Sequence, residues 1–206
     1  MTRKIVRLAP EHLAELTAPC RTCLFWERDP VRRGRADDPA AVKAAWVAEV
    51  LREWGPCGQV ALVDGVPVGY VAYAPEAYVP GAAGFPTAPV SPDAVLLTAA
   101  YVSPEHAGGG LGKMLVQRMA RDLVQRDVRA VEAFGDTRGR APCLTPVDFL
   151  GAVGFSTQRA HSTTPRLRME LRTAVTWKDP VTTAWERLVG AVRPAPKPTR
   201  AQRGAR

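Results

Sequence analysis

Four glycines within five positions form the segment of this chain best suited to chemistry. Gly108, Gly109, Gly110 and Gly112 come just before a segment with helical apolar spacing. Because glycine has no Cβ, the backbone at these positions can approach a ligand closely. The first amides of the following helix have no partner within that helix, and they lie at the positive end of its dipole. The segment therefore predicts a site for a phosphate or pyrophosphate.

A strand and a helix must position these glycines. Val95–Val102 is apolar, β-branched and aromatic, which is typical of a buried strand. After the glycines, Leu111, Leu115, Met119 and Leu123 recur at near-helical spacing. The predicted anion site thus lies in the turn where a strand ends and a helix begins.

Two other nucleotide-binding motifs place glycines in such a turn, and neither fits. A P-loop requires Gly-x-x-x-x-Gly-Lys-Ser/Thr, but Ala107 occupies its first position and Met114 its hydroxyl position. The dinucleotide fingerprint Gly-x-Gly-x-x-Gly would end on Lys113 or Leu115 in its two registers. A helix start that glycine merely makes flexible stays open as the plainest interpretation.

The segment from Val102 to Gly112 resembles the acetyl-CoA-binding signature of the GNAT acyltransferase superfamily. That signature is a Val-x-Pro strand exit, then Arg/Gln-x-x-Gly-x-Gly/Ala, then an apolar helix. Pro104, Gly110 and Gly112 match it. Ala107 takes the Arg/Gln position, which removes one side-chain partner for the phosphates and leaves the backbone amides to hold them.

A second segment, Phe149–Phe155, resembles the late helix of the same family running into Gly-Phe. The resemblance extends over roughly residues 3 to 172. It implies an α/β (α+β) fold, with a GNAT-like mixed, mostly antiparallel twisted sheet and helices on both faces. It also implies cosubstrate contacts at Ala100, Tyr101, Val102, Ala107, Gly108, Gly109, Gly110, Leu111, Gly112 and Lys113.

The function implied by the resemblance is transfer of an acetyl group from acetyl-CoA to a primary amine. The acceptor would be a small molecule or a peptide, and the transfer would be direct, in a ternary complex. A non-catalytic acyl-CoA-binding or sensing module on the same fold is the alternative.

Acetyl transfer to an amine needs a base for the amine and an acid for the departing thiolate. In the GNAT family, a glutamate on or near the cofactor strand commonly serves as the base. A tyrosine four residues before the glycine of Gly-Phe is a common acid. Here that position is Leu150, and Val95–Val102 contains no carboxylate.

Three residues elsewhere are therefore the candidate catalytic groups. Glu27 follows two aromatic residues that could partly desolvate it, and its alternative is a surface salt bridge. Glu132 lies on the strand predicted beside the cofactor strand, where it could instead face solvent. Cys143 precedes the late helix and could supply a proton to the thiolate, or simply pack.

The cysteines raise the question of a metal. Cys20 and Cys23 form half of a zinc site, whose other ligands would have to come from Cys57, Cys143 or His106. The sequence holds no second paired ligand cluster, so we expect no metal and small packing thiols instead.

Local patterns predict the remaining elements. Asp38-Pro39 should begin a helix that Gly55 ends, and Asp64-Gly65 should form a hairpin turn. We also expect strands at Lys4–Leu8, Arg129–Phe134 and Arg166–Leu171, a helix at 147–153, and a loop at 75–92 that could cover a site.

The net charge of +8 does not indicate a nucleic-acid partner. Five basic residues and no acid fall in residues 193–206, which alternate prolines and lack apolar periodicity. We expect an acetyltransferase domain at 1–175, an appended helix at 176–192 and a disordered basic tail at 193–206. No segment reaches transmembrane length and no signal-peptide pattern is present, so we expect a cytoplasmic protein without membrane contact. The protein could also form a homodimer.

Overall fold

One mixed sheet organises the part of the chain that the computed structural model describes, which is residues 2–16, 21–31, 36–139, 141 and 143–174. Eight strands are found there, in the order β1-β2-β3-β4-β5-β8-β7, with β6 paired separately to β5. The strands are β1 (Arg3–Arg7), β2 (Gly58–Val63), β3 (Val66–Ala74), β4 (Ala94–Val102), β5 (Ala130–Asp136), β6 (Thr145–Pro146), β7 (Ser156–Arg159) and β8 (Arg166–Glu170). The helices are α1 (Pro10–Glu15), α2 (Pro39–Glu53), α3 (Leu111–Gln125), α4 (Val147–Ala152) and α5 (Leu171–Ala174).

The ends of α2 and the β2–β3 hairpin follow the predicted local chemistry. The Asp38 side chain accepts a hydrogen bond from the Ala41 amide at 3.0 Å, and Pro39 is the first helical residue. Gly55 follows the helix with φ of +108°. Asp64 and Gly65 take φ of +49° and +87°, as a two-residue hairpin turn requires.

Helices cover the two faces of the sheet. On one face, Trp46 and Val50 of α2 share a buried apolar cluster with Val60, Tyr70 and Ala72 of β2 and β3.

On the other face, α3 buries Leu115, Met119 and Leu123. The Tyr73 hydroxyl of β3 donates to Asp122 Oδ2 of α3 at 3.3 Å. The predicted mixed, mostly antiparallel sheet with helices on both faces is confirmed.

The loop between β3 and β4 is ordered into two short 3₁₀ turns, Glu76–Tyr78 and Pro80–Gly84. After the second turn, the Phe85 ring stacks on the Phe134 ring of β5 with centroids 4.2 Å apart. The loop therefore packs on the middle of the sheet.

The sheet opens between its two central parallel strands. β4 and β5 pair only at Ala94–Leu96 with Ala130–Glu132. Further along, β5 pairs with β6 at Gly135 and Asp136. The outer half of β4 thus has no ladder partner on this side within the described residues. An opening between parallel strands is a common place for a ligand in α/β sheets.

The appended helix expected at 176–192, the tail at 193–206 and Cys20 lie outside the described residues. Among the described helices, none has the length and apolar character needed to cross a bilayer.

Candidate functional site

A cavity of about 590 Å³ lies where β4 diverges from β5 and α3 begins. Nine of the ten predicted cosubstrate contacts line it, and Gly109 is the exception. The full lining is Val71, Ala100, Tyr101, Val102, His106, Ala107, Gly108, Gly110, Leu111, Gly112, Lys113, Leu115, Thr145, Pro146, Phe149, Ala152 and Val153.

The backbone requires glycine at two positions of the turn before α3. Gly108 and Gly110 have φ of +75° and +81°, a region that side-chain-bearing residues rarely adopt. Gly110 is the residue immediately before the helix. A Cβ at either position would meet nothing within 4 Å, so these glycines leave open space beside the backbone.

Gly112, in the first turn of α3, allows close packing against a neighbouring helix. A Cβ there would lie 3.0 Å from the Phe149 ring of α4. Phe149 thereby forms the cavity wall opposite the first turn of α3, a contact that sequence reasoning did not find.

The remaining glycine of the turn ties the loop to the edge of the sheet. The Arg3 guanidinium of β1 donates to the Gly109 carbonyl at 3.2 Å. The positive charge of Arg3 therefore lies beside the turn, whereas Ala107, at the Arg/Gln position of the signature, carries no charge.

The cavity lining combines polar and apolar groups. The backbone at the start of α3 and the side chains of Lys113 and His106 are its polar part. Phe149, Val153 and Leu115 supply apolar wall. Such a site suits an elongated ligand with a phosphate-bearing end and an apolar or amide-bearing chain.

Leu150, which stands where the resemblance expects a tyrosine, does not line this cavity. Its side chain is fully buried and packs against the backbone of Gly135 in β5. Helix α4 therefore contributes a core residue at Leu150 and part of the cavity wall at Phe149.

Glu132 is fully buried in an ion-pair network. Its carboxylate lies 3.1 Å from Arg166 and 3.2 Å from Arg168, both on β8. The Ser91 amide also donates to Glu132 Oε2 at 3.1 Å. The carboxylate thus joins β5 to β8 and to the loop before β4.

Replacing Glu132 by glutamine should lower the free energy of unfolding by about 3 to 5 kcal/mol, because it leaves the largely buried Arg166 guanidinium without its carboxylate partner. It also removes one of the three carboxylates that pair with Arg168. Urea denaturation measures this change. Glu170→Gln is the control, because Glu170 also pairs with Arg168 but its side chain is 56% exposed. That variant should cost less than about 1 kcal/mol. Equal midpoints for the two variants would contradict the assignment.

Glu27 is also buried, with 1% of its side chain exposed. Its Oε1 pairs with Lys43 of α2, while Oε2 is buried and has no hydrogen-bond partner within the part of the chain that the structure describes. The neighbouring Trp26 ring packs nearly parallel to the stacked Phe85 and Phe134 rings, with centroid distances of 5.4 and 6.2 Å. Glu27 therefore forms a salt bridge, as its alternative interpretation expected, but the pair is buried beside an aromatic cluster and not at the surface.

Cys143 and Cys23 lie side by side, with their sulfur atoms 2.9 Å apart. The hydrogen bond from Cys143, together with the Phe25 amide and the charge of Lys43, lowers the pKa of Cys23 to about 6. Burial raises the pKa of Cys57 to about 11. Within the described residues, no group of three or more His, Cys, Asp or Glu could hold a metal ion.

The alkylation rate of Cys23 in the reduced protein should rise with pH and reach half its maximum near pH 6. The thiolate is the reactive form, and it predominates above the pKa. Iodoacetamide labelling followed by peptide mass spectrometry measures the rate. Cys57 is the internal control and should stay unlabelled through neutral pH. A half-maximum near pH 8.5 would contradict the prediction.

Solved structures of acetyltransferases share this fold. An N-acetyltransferase from Staphylococcus aureus Mu50 aligns with a TM-score of 0.58 at 13% identity, over 83% of this chain and 99% of that one. YncA from Salmonella typhimurium, solved with its cofactor acetyl-CoA, aligns at 0.57 and 15%, over 83% and 95%. PaiA N-acetyltransferase from Thermoplasma acidophilum, in complex with coenzyme A, aligns at 0.52 and 13%, over 82% and 99%.

The chain belongs to the acetyltransferase (GNAT) family, whose model matches residues 14–141. A curated relative is GCN5-related N-acetyltransferase 2, chloroplastic, from Arabidopsis thaliana, which is 41% identical over 54 residues. That match spans 26% of this chain and 18% of the relative.

Proposed function

We propose that this protein is an acetyl-CoA-dependent N-acetyltransferase. It would transfer the acetyl group to a primary amine of a small molecule or peptide while both substrates are bound. The observation that carries the proposal is the single cavity that joins the amide-rich start of α3 to the open edge of β4.

The residues present fit acetyl-CoA, which supplies an acetyl thioester when bound. The backbone from Gly108 to Gly112 would hold the pyrophosphate, with Lys113 and Arg3 as nearby positive charges. The open edge of β4 offers backbone groups to an amide-bearing chain, as a sheet edge does to a peptide. Phe149 would cover that chain.

Three residues are proposed for proton transfer. Glu27 is the first choice as base, because Oε2 is a buried acceptor without a hydrogen-bond partner among the described residues. Glu132 could act only if its network with Arg166 and Arg168 opened. Cys143 is the proposed proton donor to the leaving thiolate, since it lies two residues before Thr145, which lines the cavity.

A non-catalytic acyl-CoA-binding module is the second candidate. It is favoured by Leu150, which packs beneath β5 instead of offering a hydroxyl, and by the engagement of Glu132 with two arginines. Both candidates require acetyl-CoA binding, but only the enzyme forms product.

The test is incubation with acetyl-CoA and a panel of small amines and peptides, followed by mass spectrometry for acetylated product. Product formation that depends on the protein supports the enzyme. Stoichiometric acetyl-CoA binding without product across the panel supports the module. A protein that neither binds acetyl-CoA nor forms product would contradict both candidates.

A cytoplasmic location and a homodimer are further parts of the proposal. The thiols of Cys23, Cys57 and Cys143 fit a reducing compartment. Sedimentation of the purified full chain measures the oligomeric state directly.

A further inference from the structure

Two cysteines that are 120 residues apart in the chain meet beside the wall of the cavity. Cys23 Sγ and Cys143 Sγ are separated by 2.9 Å, and both side chains are half-buried. Small oxidants can therefore reach them from solvent.

Cys23 has the chemistry of a nucleophilic thiol. The Lys43 ammonium donates to the Cys23 carbonyl oxygen at 3.3 Å, which places its charge close to the sulfur. The hydrogen bond with Cys143, the Phe25 amide and the charge of Lys43 lower the pKa of Cys23 to about 6, against burial and the opposing charge of Glu27. At neutral pH Cys23 is thus mostly thiolate, with Cys143 as its hydrogen-bond donor.

The separation of the two sulfurs bears on what the pair can do. Two thiolates on one tetrahedral zinc, each at 2.3 Å from the metal, stand about 3.8 Å apart. The observed 2.9 Å is shorter. The pair is in direct thiol–thiolate contact, and only a small approach separates it from a covalent bond.

The two backbone segments are already joined in the reduced protein. The Trp26 indole donates to the Cys143 carbonyl at 3.2 Å. Beyond Cys143, Thr145 and Pro146 pair with β5 and line the cavity. A bond between the sulfurs would therefore tether residues 21–31 to the cavity wall without a large rearrangement.

We propose that Cys23 and Cys143 are a redox-modified site, which a peroxide converts to a reversible intramolecular disulfide. The Cys23 thiolate attacks one oxygen of hydrogen peroxide, which forms a sulfenic acid and releases hydroxide. The Cys143 thiol then attacks that sulfur, an S–S bond forms and water leaves. The two thiols lose two electrons to the peroxide, and a dithiol reductant reverses the change.

The experiment treats the reduced full-length protein with a small excess of hydrogen peroxide. We expect the four thiols of the chain to fall to two, and non-reducing peptide mass spectrometry to find Cys23 linked to Cys143. Dithiothreitol should restore all four. Cys57→Ser is the matched control and should form the same link, because Cys57 is fully buried elsewhere in the core.

Cys143→Ser isolates the first step. This variant should stop at the sulfenic acid of Cys23, which dimedone captures as a mass-tagged adduct, and wild type should give little adduct. An unchanged thiol count, a bond between Cys20 and Cys23 instead, or one zinc per purified chain with Cys23 protected from peroxide would each overturn the proposal. None of these readouts uses acetyl transfer, so their failure would leave the proposed function standing.

Discussion

Gly110→Val should lower the affinity for acetyl-CoA by about 100-fold or more while the protein stays folded. At φ of +81° a β-branched residue is strained, so the turn must rotate and the amides at the start of α3 lose their alignment. The valine methyl groups would also occupy the open space beside the turn. Isothermal titration of acetyl-CoA into each protein measures the Kd.

The matched control is Gly65→Val in the β2–β3 hairpin. Gly65 has φ of +87° and, like Gly110, open space around its Cβ position, but it does not line the cavity. The two variants therefore carry similar backbone strain, and circular dichroism verifies that both are folded. Acetyl-CoA should bind to Gly65→Val as to wild type. Wild-type affinity in a folded Gly110→Val would remove the turn from the binding site.

Glu27→Gln should lower turnover by a factor on the order of 10² to 10⁴, the usual loss when a general base is removed. The Kd for acetyl-CoA should stay unchanged, because Glu27 does not line the cavity that would hold it. Steady-state kinetics on an accepted amine, with titration of acetyl-CoA, separates the two effects.

The substitution has a structural consequence that needs its own control. Glu27→Gln leaves the buried ammonium of Lys43 without its carboxylate, which destabilises a protein whatever the role of the acid. The double variant Glu27→Gln/Lys43→Met removes that charge. If Glu27 is the base, the double variant folds well and stays inactive. Recovery of activity would assign Glu27 a structural role, and loss in Glu132→Gln alone would transfer the base to Glu132.

Local patterns predicted the elements that hold the cavity. A strand exit at Val102, glycines at 108–112 and apolar spacing in α3 depend on neighbours a few residues away, so sequence alone indicates them. The same holds for the Asp38 cap and for the Asp64-Gly65 turn. The ten cosubstrate contacts came from the family resemblance, and nine of them line the cavity that these elements hold.

The partners of the charged and thiol side chains could not be predicted in this way. Glu132 lies 36 residues before Arg168, and Cys23 lies 120 residues before Cys143. These pairs depend on which strands and loops are neighbours in the folded sheet. Neither composition nor local sequence pattern indicates those neighbours. Phe149 was missed for a related reason, since its place against Gly112 depends on how α4 packs on α3.

Hydrogen exchange measured with and without acetyl-CoA tests the central claim most directly, because it reports where the ligand lies. Peptides that cover residues 107–115, and those that cover the α4 wall at 145–153, should exchange more slowly when acetyl-CoA is bound. The β2–β3 hairpin at 63–66 should be unaffected. Binding of acetyl-CoA without protection at 107–115, or no binding at millimolar concentration, would contradict the assignment of this cavity as the acetyl-CoA site.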